Sequence, residues 1–186
     1  MMPRSSHYRG YTLVELIVSI AIFSVVMLVA TAAFLTMISL DRQARATNDV
    51  VTNLSYVTDT MARGIRTGQA YACNGAGDCS SPGSSFRFTD AQERTVTYSL
   101  TTNPRNSSYG SITQCIESSC MVLTDPRINV EKLAFYVAGS ASKQSNGDTR
   151  QPTVIFTIEG SVKPDARSAP VEFIIESGAT QRVIDL

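Results

Sequence analysis

The most constraining feature of this 186-residue chain is a long stretch without charge near its beginning. No Asp, Glu, Lys or Arg occurs from Leu16 to Leu40, a run of 25 residues. About 20 apolar residues are enough for a helix to cross the hydrocarbon core of a bilayer. The chain from Asp41 onward is polar and rich in Ser, Thr, Asn and Gly. The sequence therefore predicts a membrane-anchored protein with a single soluble domain.

A second constraint is the absence of helix-breaking residues over a still longer stretch. Neither glycine nor proline occurs from Tyr11 to Arg63, so the pattern permits one continuous helix about 80 Å long. Its second half carries an apolar residue at every third or fourth position, which predicts that this half packs against the rest of the domain. This apolar stripe consists of Val50, Leu54, Val57, Met61 and Ile65. Gly64 and Gly68, with the polar residues that follow, predict the end of the helix and a long loop.

Beyond this loop the apolar residues recur with a period of two, which is typical of strands. Phe86 and Phe88 alternate with polar neighbours, and so do the apolar residues of RTVTYSL. Further strand-like segments follow, and SITQCIE with CMVLT predicts a hairpin. Strands that follow one another without intervening helices indicate an antiparallel sheet. The predicted fold class is α+β, with one long N-terminal helix packed by its C-terminal half on an antiparallel β-sheet.

The four cysteines form two local pairs, Cys73 with Cys79 and Cys115 with Cys120. The only histidine of the chain is His7, so the soluble domain has no histidine for a Cys/His zinc site. The spacings within CNGAGDC and CIESSC are longer than those of four-cysteine zinc sites. Two disulfides are therefore favoured over a metal site, although four cysteines allow three pairings. Disulfides also indicate that the domain lies outside the cytoplasm.

One acidic residue, Glu15, lies at the start of the apolar run, five residues after Gly10. A charged side chain inside a bilayer is unfavourable, and it usually marks a function or a nearby opposite charge. A cleaved secretory signal does not fit, because its apolar core is about 7–15 residues long and ends at a small-residue cleavage site. A simple membrane anchor explains the length of the run but neither Gly10 nor Glu15. Cleavage after Gly10 gives Tyr11 a free amino group, which is the positive partner that Glu15 needs.

Positions 11 and 15 are one helical turn apart, so we expect the Tyr11 amine and the Glu15 carboxylate to face the same side. The basic leader, Gly10, an aromatic residue and TLVELIVSIAIFSVVMLVA together resemble the class III signal of type IV pilins and type II secretion pseudopilins. The resemblance implies that a prepilin peptidase cuts after Gly10 and methylates Tyr11, where the family usually has Phe or Met. It also implies that Glu15 pairs with the amine of a neighbouring subunit.

The rest of the chain resembles the minor pilin or J-type pseudopilin branch of this family. The resemblance rests on the long helix, the sheet, INVEKLAFYV and the final GATQRVIDL, in which Arg182 follows a polar strand. It implies a pilin-like fold with a leader at residues 1–10 and a transmembrane or assembly half of the helix at 11–40. The amphipathic half of the helix is expected at 41–66 and the β-rich extracytoplasmic body at 67–186. The expected helix contacts in a filament are Leu13, Leu16, Ile17, Ile20, Phe23 and Val26.

The function implied by the resemblance is that of a structural subunit, of the minor kind, in a pilus-like or secretion filament. The implied partners are prepilin peptidase, other pilin or pseudopilin subunits, an inner-membrane assembly platform, an assembly ATPase and, before assembly, membrane lipid. The implied location is the cytoplasmic membrane, crossed once with the body outside the cytoplasm, and then a surface or periplasmic filament. A pilus, a secretion pseudopilus and a DNA-uptake machine stay open as alternatives.

The sequence predicts neither an enzyme nor a cofactor or metal protein. The domain contains no G-x-S-x-G, no Gly-rich phosphate loop and no C-x-x-C. The formal net charge is zero, which argues against binding to nucleic acid through a basic surface. The alternative function is an uncleaved, membrane-tethered module that binds a surface ligand or DNA. Its candidate basic patch consists of Arg87, Arg94 and Arg105.

Overall fold

The computed structural model describes residues 10–75, 77–141, 150–163 and 170–182. The described residues form one helix and nine strands. The elements are α1 (Leu13–Thr67), β1 (Gln69–Cys73), β2 (Cys79–Gly83), β3 (Ser85–Thr89), β4 (Thr95–Asn103), β5 (Asn106–Ile116), β6 (Ser119–Val122), β7 (Ile128–Ala138), β8 (Thr153–Val162) and β9 (Val171–Thr180). The chain divides into two compact units, Met1–Ala44 and Arg45–Leu186, and α1 contributes residues to both.

The predicted continuous helix is confirmed. It runs through Gly64 to Thr67, and the Gly68 N–H then donates to the Ile65 carbonyl at 3.0 Å. The sequence predicted that the helix ends at Gly64 and Gly68, but it continues through Gly64. A Cβ at this position would lie 2.9 Å from the Tyr98 hydroxyl oxygen, so a residue without a side chain is needed where the helix approaches β4 closely.

The apolar stripe of α1 is buried as predicted. Its side chains belong to the hydrophobic core of the second unit, together with inward residues of the strands such as Phe86, Phe88 and Tyr98. Hydrogen bonds also join this stretch of the helix to residues that follow it in the chain. The Tyr71 hydroxyl donates to the Ile65 carbonyl, and the Asp125 N–H donates to Asn53 Oδ1 at 3.0 Å. The C-terminal half of α1 is thus part of the domain core.

The strands form two antiparallel sheets, whereas the sequence had predicted one. The first sheet has the strand order β1-β3-β4-β5-β6, and the second has the order β2-β7-β8-β9. The hairpin predicted from SITQCIE and CMVLT is present as β5 and β6, with Cys115 directly opposite Cys120. The α+β class is confirmed, with one long helix packed on antiparallel β-structure.

The segment after the helix is not the long loop that its polar composition predicted. It contains β1 and β2, which belong to different sheets: β1 pairs with β3, and β2 pairs with β7. Neither strand shows a regular apolar alternation, and β2 includes Pro82, which is tolerated in strands at a sheet edge. Long-range pairing therefore decides the structure of this segment.

The two sheets share one core, and β5 of the first sheet lies close to β7 of the second. A Cβ on Gly110 of β5 would lie 2.1 Å from the Val130 carbonyl oxygen of β7. The rings of Phe86 and Phe135, one from each sheet, have centroids 5.5 Å apart. Within the second sheet, the ring of Phe156 in β8 lies 6.3 Å from that of Phe135 in β7 and extends this aromatic cluster. The core is thus built from both sheets and the stripe of α1.

Candidate functional site

The predicted processing site lies just before the first residue of α1. Gly10 and Tyr11 precede the helix and are exposed, Tyr11 by 82%. Among the described residues, no atom lies within 4 Å of the position that a Gly10 Cβ would take. The described part of the chain therefore leaves the peptide bond between these two residues uncovered.

Thr12 caps the helix at this point, a feature that the sequence reasoning missed. The Glu15 N–H donates to Thr12 Oγ1 at 3.3 Å, and the Leu16 N–H donates to the Thr12 carbonyl at 3.2 Å. A threonine in this position satisfies backbone donors that the first helical turn leaves without a partner. The signal for it was present in the sequence, because Thr-x-x-Glu before an apolar run is the capping-box pattern.

Glu15 occupies the first turn of α1. The helix dipole is positive at this end, so the carboxylate is placed where the backbone itself stabilises negative charge. Because the helix begins at Leu13, Tyr11 lies outside it in the intact chain. The expected relation of Tyr11 and Glu15, one turn apart in a single helix, is therefore not formed before cleavage.

The apolar half of α1 is exposed along its length. The six residues expected to make filament contacts, namely Leu13, Leu16, Ile17, Ile20, Phe23 and Val26, are between 55% and 76% exposed. Among the described residues, α1 is the one helix long and apolar enough to cross a membrane, and none of its most apolar 18-residue window is buried. Whether lipid or other subunits surround this half, its surface is suited to an apolar environment.

The hydroxyl groups within this half are satisfied by the helix itself. Each of five side chains donates a hydrogen bond to a backbone carbonyl three or four residues earlier, at distances of 2.7–3.0 Å. These residues are Ser19, Ser24, Thr31, Thr36 and Ser39. The polar residues of the apolar half therefore present no hydroxyl in need of a partner.

Both predicted disulfides are present in the domain. Cys73 and Cys79 join the end of β1 to the start of β2, and Cys115 and Cys120 cross-link β5 with β6. The first bond is packed against Gly83, where a Cβ would lie 2.2 Å from Cys73 Sγ. It links two strands that belong to different sheets, whereas the second lies within one hairpin.

The loop inside the first disulfide is held by polar side chains. Asn74 has a φ of 49°, and its Oδ1 accepts the N–H groups of Ser84 and Ser85 at 3.0 and 3.1 Å. Asp78 accepts the N–H groups of Gly139 and Ser140 at 3.0 and 2.6 Å. Partial burial raises the pKa of Asp78, but the hydrogen bonds from Ser140 and Gly139 outweigh it and lower the pKa below its ordinary value.

The polar groups of CNGAGDC thus serve the fold of the loop. The oxygen atoms of CNGAGDC and of a second polar loop, SNGDT, are of the kind that binds calcium, although the sequence favours a plain turn for each; SNGDT lies outside the described residues. Within the described ranges no group of three or more His, Cys, Asp or Glu side chains is placed to hold a metal ion.

The three arginines of the candidate basic patch are not brought together by the strands. Arg94 lies before β4 and Arg105 after it, so they are at opposite ends of a nine-residue strand. Arg94 is also engaged by Asp90, at 2.7 Å between Nη2 and Oδ2. Arg87 lies within β3. A patch made of these three residues is not supported.

Other charged residues of the domain are paired on its surface. The guanidinium of Arg127 lies beside Asp125 at 3.0 Å, and its hydrogen bonds lower the pKa of the Asp125 carboxyl. Lys132 Nζ lies 2.8 Å from Glu159 across β7 and β8.

The backbone N–H of Arg182 donates to the Arg66 carbonyl at 2.8 Å, which joins the last described residue to the end of α1.

Comparison with known proteins gives a match at the N-terminal end of the chain. The family model of the prokaryotic N-terminal methylation motif matches residues 5–31, which include Gly10, Tyr11, Glu15 and the first part of α1. Searches of curated proteins and of solved structures each found no match. The match coincides with a helix of membrane-spanning length that begins three residues after Gly10. The chain therefore carries a type IV pilin-like prepilin signal at the start of an α+β structure that fits a pilin-like fold.

Proposed function

We propose that the chain is a structural, non-enzymatic subunit of the minor kind in a type IV pilus-like filament or a type II secretion pseudopilus. Prepilin peptidase cuts it after Gly10 and methylates the new amino terminus at Tyr11. The observation that carries the proposal is the methylation motif at residues 5–31, which overlaps the start of an apolar helix that is almost wholly exposed up to Leu40.

An exposed apolar helix of this length needs a non-aqueous partner. Each fully buried Leu, Ile, Val or Phe side chain gains about 1.5–3 kcal/mol over its exposed state in water, so the segment does not stay in water. Lipid covers it before assembly and the helices of other subunits cover it afterwards. Leu13, Ile17 and Phe23 are among the exposed residues that supply these contacts.

Glu15 distinguishes this helix from an ordinary membrane anchor. An unpaired carboxylate among apolar side chains is strongly unfavourable, and an ammonium group nearby compensates for it. Cleavage after Gly10 creates such a group at Tyr11. We expect the pair to form between neighbouring subunits, where it fixes the position of one helix along the next.

The remaining partners and the location follow from the same proposal. Assembly uses an inner-membrane platform, an assembly ATPase and other pilins or pseudopilins. Two disulfides in the second unit support an extracytoplasmic body, since disulfides persist in oxidising compartments.

Mass spectrometry of the N-terminus tests the processing step. The chain is expressed with its native machinery, the filament and membrane fractions are separated, and the N-terminal peptide of each is sequenced. We expect the filament fraction to begin at Tyr11 with one added methyl group. Assembled chain that begins at Met1 contradicts the proposal and supports the uncleaved, membrane-tethered binding module.

A pair of Glu15 variants tests the assembly step. Glu15→Gln keeps the shape of the side chain and removes the charge, so we expect at least about a tenfold loss from the filament fraction with unchanged membrane insertion. Asp59→Asn is the matched control, because Asp59 is an exposed carboxylate of the same helix. Incorporation of Glu15→Gln at the wild-type level would refute the pairing.

A further inference from the structure

We propose that Thr12 is a positioning residue for the cut after Gly10: by capping α1 it keeps the Gly10–Tyr11 peptide bond outside the helix. This inference rests on the proposed function, since it concerns the same cleavage. The cut adds water across that bond, so that Gly10 ends in a carboxylate and Tyr11 begins with an amine. This bond lies next to a 55-residue helix, and it is available to the peptidase only if it is not part of that helix.

The cap determines which carbonyl is the first to accept a helical hydrogen bond. In the intact chain it is the carbonyl of Thr12, which receives the Leu16 N–H at 3.2 Å. The Thr12 hydroxyl oxygen receives the Glu15 N–H at 3.3 Å, so side chain and backbone of one residue serve two donors of the first turn. The carbonyl of Gly10 lies two residues before this boundary and is left to the surroundings.

Loss of the cap would move the boundary towards the cut. Among residues 10–12, Gly10 is the next capable N-cap, because glycine ranks close to threonine in that position and tyrosine is not among the preferred N-cap residues. With Gly10 as N-cap, Tyr11 becomes the first helical residue and the Gly10 carbonyl accepts the N–H of Val14.

That carbonyl belongs to the bond to be cut, and its oxygen must gain negative charge in the transition state of hydrolysis. A peptidase stabilises this charge with its own donors, which have to reach the oxygen directly. A helical hydrogen bond occupies the oxygen and fixes the peptide in a compact conformation. Thr12 therefore favours cleavage because its cap makes the helix begin at Leu13, after the peptide bond that is cut.

Three substitutions separate the capping oxygen from the other properties of Thr12. Thr12→Ser keeps the oxygen and loses the methyl group, whereas Thr12→Val keeps the branched shape and loses the oxygen. Thr31→Val is the matched control, because the Thr31 hydroxyl donates to a carbonyl within the same helix, far from the cut. Full-length chains are pulse-labelled in cells that contain the peptidase, and the ratio of leader-bearing to processed chain is followed by mass spectrometry.

We expect the first-order rate of processing to fall in Thr12→Val by between about 2-fold and 30-fold, the range that loss of an N-cap produces in a helix-boundary equilibrium. Thr12→Ser and Thr31→Val should be processed at the wild-type rate. Processing of Thr12→Val at the wild-type rate overturns the proposal.

The position of the helix start is measured separately by NMR on the uncleaved, full-length protein in detergent micelles. Carbon chemical shifts and amide exchange of residues 10–15 should show helix from Leu13 in the wild type and from Tyr11 in Thr12→Val. Slow processing with an unchanged helix start also overturns the proposal, since the hydroxyl then acts by contacting the peptidase. If no variant, including the wild type, is cleaved after Gly10, the proposed function fails while the NMR result still decides the capping role.

Discussion

At the scale of single residues, two neighbours in β5 illustrate opposite departures from ideal packing. Gly110 leaves no room for a side chain, because the Val130 carbonyl oxygen would lie 2.1 Å from its Cβ. Ser111 is fully buried, and its hydroxyl has no hydrogen-bond partner among the described residues. A buried polar group without a partner lowers stability. A glycine, by contrast, permits two strands to approach each other closely.

These positions predict opposite effects from the same replacement by alanine. Gly110→Ala should lower the free energy of unfolding by about 1–3 kcal/mol, because the added methyl group separates β5 from β7. Ser111→Ala should raise it by up to about 1 kcal/mol, because it removes a hydroxyl that is desolvated without compensation. Denaturant unfolding of the full chain in detergent, followed by near-ultraviolet circular dichroism, measures both. A loss of stability in Ser111→Ala would show that its hydroxyl has a partner after all.

The residues of the processing site were only partly predictable from the sequence. Gly10 and Glu15 are recognisable because their spacing and their contrast with the apolar run are visible in one dimension. Thr12 matches the capping-box pattern Thr-x-x-Glu, but the pattern identifies a cap only when the first residue of the helix is known. Its role depends on a boundary, and boundaries are set by local hydrogen bonds that composition does not reveal.

At the scale of elements, α1 is one helix with two kinds of surface. Met37 is 72% exposed and Met61 is fully buried, although both are methionines of the same helix. The difference follows from what surrounds each half, because the buried half faces the strands of the second unit. The first half is free of charged residues from Leu16 to Leu40, whereas the second half carries an apolar stripe among polar residues, and only this stripe is buried.

The two methionines form a matched pair for a test of this difference. Met61→Ala should lower the free energy of unfolding of the domain by about 2–5 kcal/mol, since it leaves a cavity in the hydrophobic core of the second unit. Met37→Ala should leave the same free energy unchanged. Unfolding of both full-length variants in detergent is compared under identical conditions. An equal loss in the two variants would contradict the assignment of Met61 to the core.

The elements also show how far the sequence reaches. The helix was predictable because Tyr11–Arg63 excludes glycine and proline, and the stripe because its period is local. The strands β1 and β2 were not, since QAYAC and CSSPG become strands only by pairing with β3 and β7. The division of the strands into two sheets was hidden for the same reason: strand order is a property of distant segments that a period of two does not encode.

At the scale of the whole molecule, the second unit has a core that includes two tyrosines. Burial raises the pKa of Tyr98 to about 12, although the hydrogen bond from the Gln114 side chain acts in the opposite direction. Burial also raises the pKa of Tyr71 well above its ordinary range. Both hydroxyls therefore keep their protons in the folded domain at a pH where an unfolded chain loses them.

This difference predicts a loss of stability in alkali. Below pH 10 both states hold the tyrosine protons, and between about pH 10 and about pH 12 the unfolded state has released them while the folded state has not. The free energy of unfolding should fall over this range by up to about 1.4 kcal/mol per pH unit for each such tyrosine. Denaturant unfolding at several pH values between 8 and about 11.5 measures the slope.

Tyr98→Phe supplies the decisive comparison for this prediction. The variant should be less stable at pH 8, because Gln114 loses a partner, and its stability should decline less steeply above pH 10. Tyr56→Phe, at an exposed position of α1, should keep the wild-type slope. A wild-type slope in Tyr98→Phe would mean that other groups cause the alkaline loss.

The hydroxyls of Ser19, Ser24, Thr31, Thr36 and Ser39 all end on carbonyls of their own helix. A segment built in this way exchanges no hydrogen bonds with its surroundings. The hydrogen bonds of these hydroxyls are therefore the same in lipid and in a bundle of protein helices, and transfer between the two breaks none of them. The Glu15 carboxylate is different, because its free energy depends on whether a positive charge lies nearby. Its interactions therefore distinguish the filament from the lipid bilayer.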